Sequence, residues 1–231
     1  MKKILAIILA SLMLISFVAC DNNNEETTNE ETINNETKNE ETNKEEVTTE
    51  APVPTETDLA AAASVEKIAQ ALVLKYADYI DLRSSYDSYI ADLTEEDEKI
   101  SFEEFCSFRI FSESIGADAE WLQGFTEVPA GFSEAYCYGP NMMGQAFIGY
   151  IFRVADGTDV EAFKKTLTDT CDPRWNICTM ANTTVCESYG NLVYFSMMNV
   201  ANEENGNLGF TVEQKDGFYN TFVETIENSA K

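Results

Sequence analysis

Residues 146–167 read AFIGYIFRVADGTDVEAFKKTL. The first nine, through Val154, are apolar enough for a strand in the middle of a sheet. The next five, ADGTD, form a turn, and Asp159 stands where a helix needs a cap. Val160, Phe163 and Leu167 then recur at helical spacing, predicting a helix over 160–169. Both parities of FIGYIF are apolar, so the pattern leaves open which one faces the core. It nominates Phe147, Tyr150 or Ile151, Val193 and Phe195 as buried.

The same texture extends on both sides. SEAYCYG (133–139) alternates as a strand should, and Gly139-Pro140-Asn141 reads as a turn. TTVCES (183–188) and NLVYFSMM (191–198) are two strands joined at Tyr189-Gly190-Asn191. A Gly- and Asn-rich loop at 202–209 leads into a last amphipathic helix over 212–228. From residue 131 the order is thus β-β-α-β-β-α.

Helices precede it. Val65, Ile68, Leu72, Tyr76 and Ile80 share one face of a helix over 59–80, with Ser64 or Asp58 as its cap. A short helix covers 84–92. TEEDEK (94–99) lacks the D-x-[DN]-x-[DN]-G spacing of a calcium loop and reads as a solvated turn. Ser101 and Glu104 have the spacing of a capping box, predicting a helix from 102 to about 112. DAEWLQGF (118–125) reads as one more helical turn. The fold class expected is α+β: N-terminal helices, then an antiparallel sheet layer with helices packed on one face.

Charge divides the chain. Residues 21–57 carry twelve acids against two lysines, and residues 58–231 carry twenty-nine acids against eleven bases, within a formal net charge of −26. Such a body repels phosphate backbones, so nucleic acid is excluded as a partner. The chain has no histidine. It lacks the commonest general base and metal ligand, and no Ser-His-Asp or Cys-His system can be assembled from it.

The N-terminus gives an address. Met1–Lys3 are basic, residues 4–19 are apolar, and Phe17-Val18-Ala19-Cys20 closes the run. Sixteen apolar residues fall short of the ~20 that span a bilayer. The pattern is that of a secretory signal, and its last four residues resemble a bacterial lipobox. The resemblance implies a signal peptide over 1–19, diacylglyceryl transfer to the Cys20 thiol, and cleavage before Cys20. Phe17 departs from the usual leucine. Two acyl chains anchor a protein stably where one does not. The implied location is the outer face of the cytoplasmic membrane, in the cell envelope, with the bilayer as partner through diacylglyceryl-Cys20.

Residues 20–57 form the next segment. The word NEET occurs at 24–27, 29–32 and 39–42, and few residues are apolar, so this stretch is expected to be a disordered acidic tether. Residues 58–231 are then a single globular α+β domain. Lipobox, acidic spacer and small domain together resemble a group of uncharacterised Gram-positive lipoproteins. DPRWNICTMANTTVCESYGNLVYFSMMN (172–199) carries most of that likeness, and the likeness implies no activity.

Five cysteines follow Cys20: Cys106, Cys137, Cys171, Cys178 and Cys186. The odd count forbids complete pairing, and the absence of close pairs argues against a zinc site. Cys171–Cys178 is the candidate disulfide, and Cys106 reads as a small buried residue. Trp175, beside Arg174, offers a ligand platform, although a loop pinned to the core is the plainer reading. Tyr136 with Tyr138, and Tyr194 with Ser196, share strand faces and read as sheet surface. No phosphate loop, nucleophile elbow or dinucleotide fingerprint is present, and no cofactor or metal is expected. The expected function is that of a non-catalytic binding or interaction module, taking an envelope protein or a small ligand. A cell-wall hydrolase using paired carboxylates is the first alternative, and a small solute-binding lipoprotein the second.

Overall fold

A computed structural model describes residues 53–142, 145–176 and 178–229. The signal sequence, Cys20 and the NEET repeats lie outside the described residues. Within them the chain forms α1 (Glu56–Ala62), α2 (Val65–Tyr79), α3 (Leu82–Asp92), α4 (Phe102–Ser107), β1 (Ile110–Gly116), β2 (Phe132–Pro140), β3 (Phe147–Val154), α5 (Val160–Thr170), β4 (Thr183–Tyr189), β5 (Leu192–Met198) and α6 (Val212–Asn228). The strands make one antiparallel sheet in the order β1-β2-β3-β5-β4. The fold is α+β.

The caps follow the sequence. Asp159 accepts from the Ala162 amide at 2.7 Å and starts α5. Ser101 accepts from Glu104 N at 3.1 Å and starts α4, without a return bond from Glu104 among the described residues. The expected helix over 59–80 is two helices. Thr55 and Asp58 form a capping box that starts α1 at Glu56, ahead of the expected boundary at 58. Ser64 then caps α2, accepting from Lys67 N at 3.3 Å.

Three expectations change. The helix expected to run to about 112 stops at Ser107, and Ile110–Gly116 becomes the edge strand β1. Residues 118–125 form turns rather than a helical turn. Pro140 is still strand, opposite Ile110.

The arrangement of the helices also goes beyond the expectation. α1, α2 and α6 pack on one face as expected, over Tyr138, Phe147, Ile151, Leu192, Tyr194 and Met198. The other face is covered too, where Phe163 and Leu167 of α5, with Leu122 and Phe125, pack on Ile148, Tyr150, Phe152, Val193 and Phe195. The topology requires this helix to cross a face. β3 and β4 run the same way with β5 between them, so α5 must pass over the sheet to connect them. Both parities of β3 are therefore buried, which accounts for the apolar run that did not choose a face. Tyr138, Tyr194 and Ser196, read as sheet surface, are instead buried beneath α2 and α6.

Arg153 ties the first face to the sheet. Its Nε donates to Glu134 at 2.6 Å, and its two terminal nitrogens donate to the carbonyls of Ala60 at 3.0 Å and Ala63 at 2.6 Å. A cation thus satisfies the end of α1, where carbonyls lack helical partners and the dipole is negative.

Gly149 decides the packing in the middle. It lies between Tyr138 and Ser196 in the sheet register. The Tyr138 ring crosses it so closely that an added Cβ would stand 2.4 Å from ring carbons. Gly149→Ala is expected to destabilise the protein by about 2 kcal/mol or more, the scale of core overpacking. Urea denaturation measures it; a midpoint within error of the parent would refute the account.

Candidate functional site

A cavity of about 600 Å³ opens at one end of the sheet. That volume lies within the range of small-molecule sites. Six pieces of chain meet there. The end of α2 supplies Tyr76 and Ile80, and α3 begins with Leu82. Arg109 precedes β1, and Pro140 and Met142 close β2. Gln145 and Ala146 lead into β3, Asn199 follows β5, and Leu208 with Gly209 come from the loop before α6. Thr179 completes the wall. The walls are mainly apolar, and Met142 and Leu208 are each 71% exposed at this opening.

The loop wall is held by asparagine side chains. Val200 N donates to Asn182 Oδ1 at 2.8 Å, and Asn182 Nδ2 donates to Val200 O at 2.8 Å. Asn202 and Asn205 exchange backbone-to-side-chain bonds of 2.9 Å in both directions. Phe210 N donates to Asn199 O at 2.9 Å. Gly209 adopts φ +121°, and a Cβ there would stand 2.4 Å from Asn199 O. Only glycine lets the chain pass that carbonyl.

Several polar side chains of the cleft have no hydrogen-bond or ion-pair partner among the described residues. Arg109 makes no ion pair among the described residues; Lys67, Lys75, Arg83, Lys99 and Arg174 make none either, but none of those five lines the described cleft. The Arg109 guanidinium lies 5.8 Å from the Phe105 ring centroid, within cation–π range. The side chains of Gln145 and Asn199 make no hydrogen bond among the described residues. Thr179 Oγ1 is shielded from solvent and equally unpartnered. Neither carboxylate nor thiol belongs to the described lining.

The other sequence candidates fall elsewhere. All five described cysteines are free. Cys171 ends α5 and donates to Thr168 O at 3.3 Å, while Cys178 is exposed in the following loop, so the expected Cys171–Cys178 bond is not formed. Cys186 is on β4, where burial pushes its thiol up to about 12. Cys106 is buried in α4 and Cys137 in β2. Trp175 packs against the α5-side core beside Gly124, a pinned loop rather than an open platform. Glu103 and Glu113 line one groove of about 330 Å³ beside β1, and both are exposed. Among the described residues no three His, Cys, Asp or Glu side chains are placed to hold a metal ion. No described helix is long and apolar enough to cross a membrane.

A closed cluster lies deeper. The hydroxyls of Tyr138, Tyr194 and Ser196 are buried without a well-formed hydrogen bond. Burial, reinforced by neighbouring Tyr194, holds the Tyr138 phenol far above its ordinary range. No face of this cluster reaches solvent, so it belongs to the core.

Sequence reading did not nominate Arg109, Gln145, Thr179 or Asn199. They come from separate segments, and none belongs to a local motif. Comparison with protein-family models, with curated proteins and with solved structures returns no match.

Asn182→Ala removes two of the three side-chain hydrogen bonds that hold Val200, leaving the one from Asn205 Nδ2. It is expected to lower stability by about 1–2 kcal/mol and to raise amide exchange over 199–210 selectively. Hydrogen exchange unchanged in that loop would contradict the role given to Asn182.

Proposed function

We propose that this protein is a lipid-anchored binding module of the bacterial envelope, held at the outer face of the cytoplasmic membrane. Cys20 carries the diacylglyceryl group, the acidic stretch 21–57 serves as a spacer, and the domain takes up a small, largely apolar ligand in the cleft at the end of its sheet. The observation that carries the reading is the cleft itself. It combines a volume of about 600 Å³ and mainly apolar walls with the polar side chains of Tyr76, Arg109, Gln145, Thr179 and Asn199, which make no hydrogen bond or ion pair among the described residues. Convergent, unengaged polar groups on an apolar wall are what fix the orientation of a bound molecule.

Binding rather than catalysis is favoured by what surrounds those groups. The Thr179 hydroxyl has no base beside it, the chain contains no histidine, and the described walls carry no carboxylate. An activated nucleophile needs such a neighbour.

Two outcomes are expected. Cys20→Ser should move the protein from the membrane fraction to the medium, read by immunoblot of separated fractions; retention in the membrane would defeat the anchor. In a thermal-shift screen of apolar small molecules, a ligand present at a hundredfold over its Kd should stabilise the domain by about 2.7 kcal/mol. Leu208→Glu places a charge on an exposed wall residue and should abolish that shift without altering the ligand-free melting temperature. A shift that survives Leu208→Glu would move the site elsewhere.

A further inference from the structure

We infer that the cleft selects an amphipathic carboxylate, its apolar body on the wall formed by Tyr76, Leu82 and Pro140 and its carboxylate on Arg109. This rests on the reading of the cleft as the binding site. Three observations lead to it. Arg109 is the only Lys or Arg among the described lining residues. Like Lys67, Lys75, Arg83, Lys99 and Arg174, it meets no carboxylate among the described residues, but unlike them it lines this cleft. The other unengaged polar side chains of the described wall, on Tyr76, Gln145, Thr179 and Asn199, are neutral and each carries at least one N–H or O–H that can donate. The wall thus offers donors and one cation, surrounded by hydrocarbon.

The head group follows from geometry and charge. A guanidinium presents two parallel N–H groups that match the two oxygens of a carboxylate. A phosphate dianion would need a second cation, and the acidic body would oppose it twice over. A neutral head would leave the guanidinium without a counter-charge, and a cationic head would repel it.

Two sources supply such chemistry, a free alkyl acid and the C-terminus of an apolar peptide, and the test separates them. Calorimetry on the full chain carrying Cys20→Ser, which removes the lipid and the need for detergent, uses decanoate, decanol and decyl phosphate below their aggregation thresholds. N-acetyl-Leu-Phe with a free or amidated C-terminus forms the peptide arm. The expected result is that decanoate or the free-acid peptide binds most tightly. Arg109→Gln should weaken that ligand by about tenfold or more, the scale of a lost hydrogen bond to a charged group, and leave decanol unchanged. Arg109 is exposed, so the variant should melt with the parent.

Equal binding of decanoate and decanol, or of the free and amidated peptides, overturns the selection of a carboxylate. So does an Arg109→Gln variant that binds the acid as the parent does. If none of these compounds binds while the thermal-shift screen yields a ligand sensitive to Leu208→Glu, the carboxylate inference alone falls. If neither experiment gives a cleft-dependent ligand, the binding-site reading falls with it.

Discussion

The fold depends on burying β3 and β5 on both faces. A strand buried on one side needs only alternate apolar residues, whereas these two need them continuously. Their sequences, FIGYIFRV and LVYFSMM, comply with a single charged residue between them. The exception, Arg153, lies near the strand's end, where its guanidinium finds Glu134 and the last carbonyls of α1. Burial on both sides also rules out side-chain volume at one point. Tyr138 must lie across β3 to fill the space under α2, and only glycine at 149 leaves room for it. With both faces closed and β1 and β4 at the edges, the end of the sheet is where loops diverge and a cavity can open.

How much of this was legible in the sequence depends on how local the signal is. α5 and α6 could be read nearly to the residue because their caps and apolar spacing are contained in a few consecutive positions. The β4–β5 hairpin could be read because Gly190 sits at the first central position of a two-residue connection, at φ +57°. β1 could not. IFSESIG carries polar residues at Ser112, Glu113 and Ser114, as an edge strand should, and so lacks the continuous apolar signal of its neighbours. The break at Ser64 was hidden as well, since DLAAAAS contains neither glycine nor proline and each residue tolerates a helix. The undecided parity of FIGYIF was itself the signal of two covered faces, readable only once α5 was known to cross the sheet.

The cleft was opaque for a different reason. Its residues are brought together by topology, from positions as far apart as Tyr76 and Leu208. Arg109 in sequence is one of eleven bases in an acidic domain, and nothing marks it as the one that lines the cleft. The asparagines of 199–205 looked like loop composition. Their structural role is to replace missing backbone partners, as Asn182 and Asn205 do for Val200. Composition recognised a loop but not that its shape was fixed.

A cation at work inside a strongly acidic body raises an apparent conflict, which distance resolves. At physiological ionic strength charges separated by more than about 8 Å are largely screened from one another. The many surface carboxylates therefore act on a distant anion mainly by slowing its approach, and they do so less as salt increases. Within the cleft the order is reversed. No carboxylate lines the described wall, its surface is mainly apolar, and Arg109 is the one charged side chain on it. Affinity at the proposed site is set by the short distances within it. The acidic surface and the proposed preference for a single negative charge on an apolar body are therefore compatible.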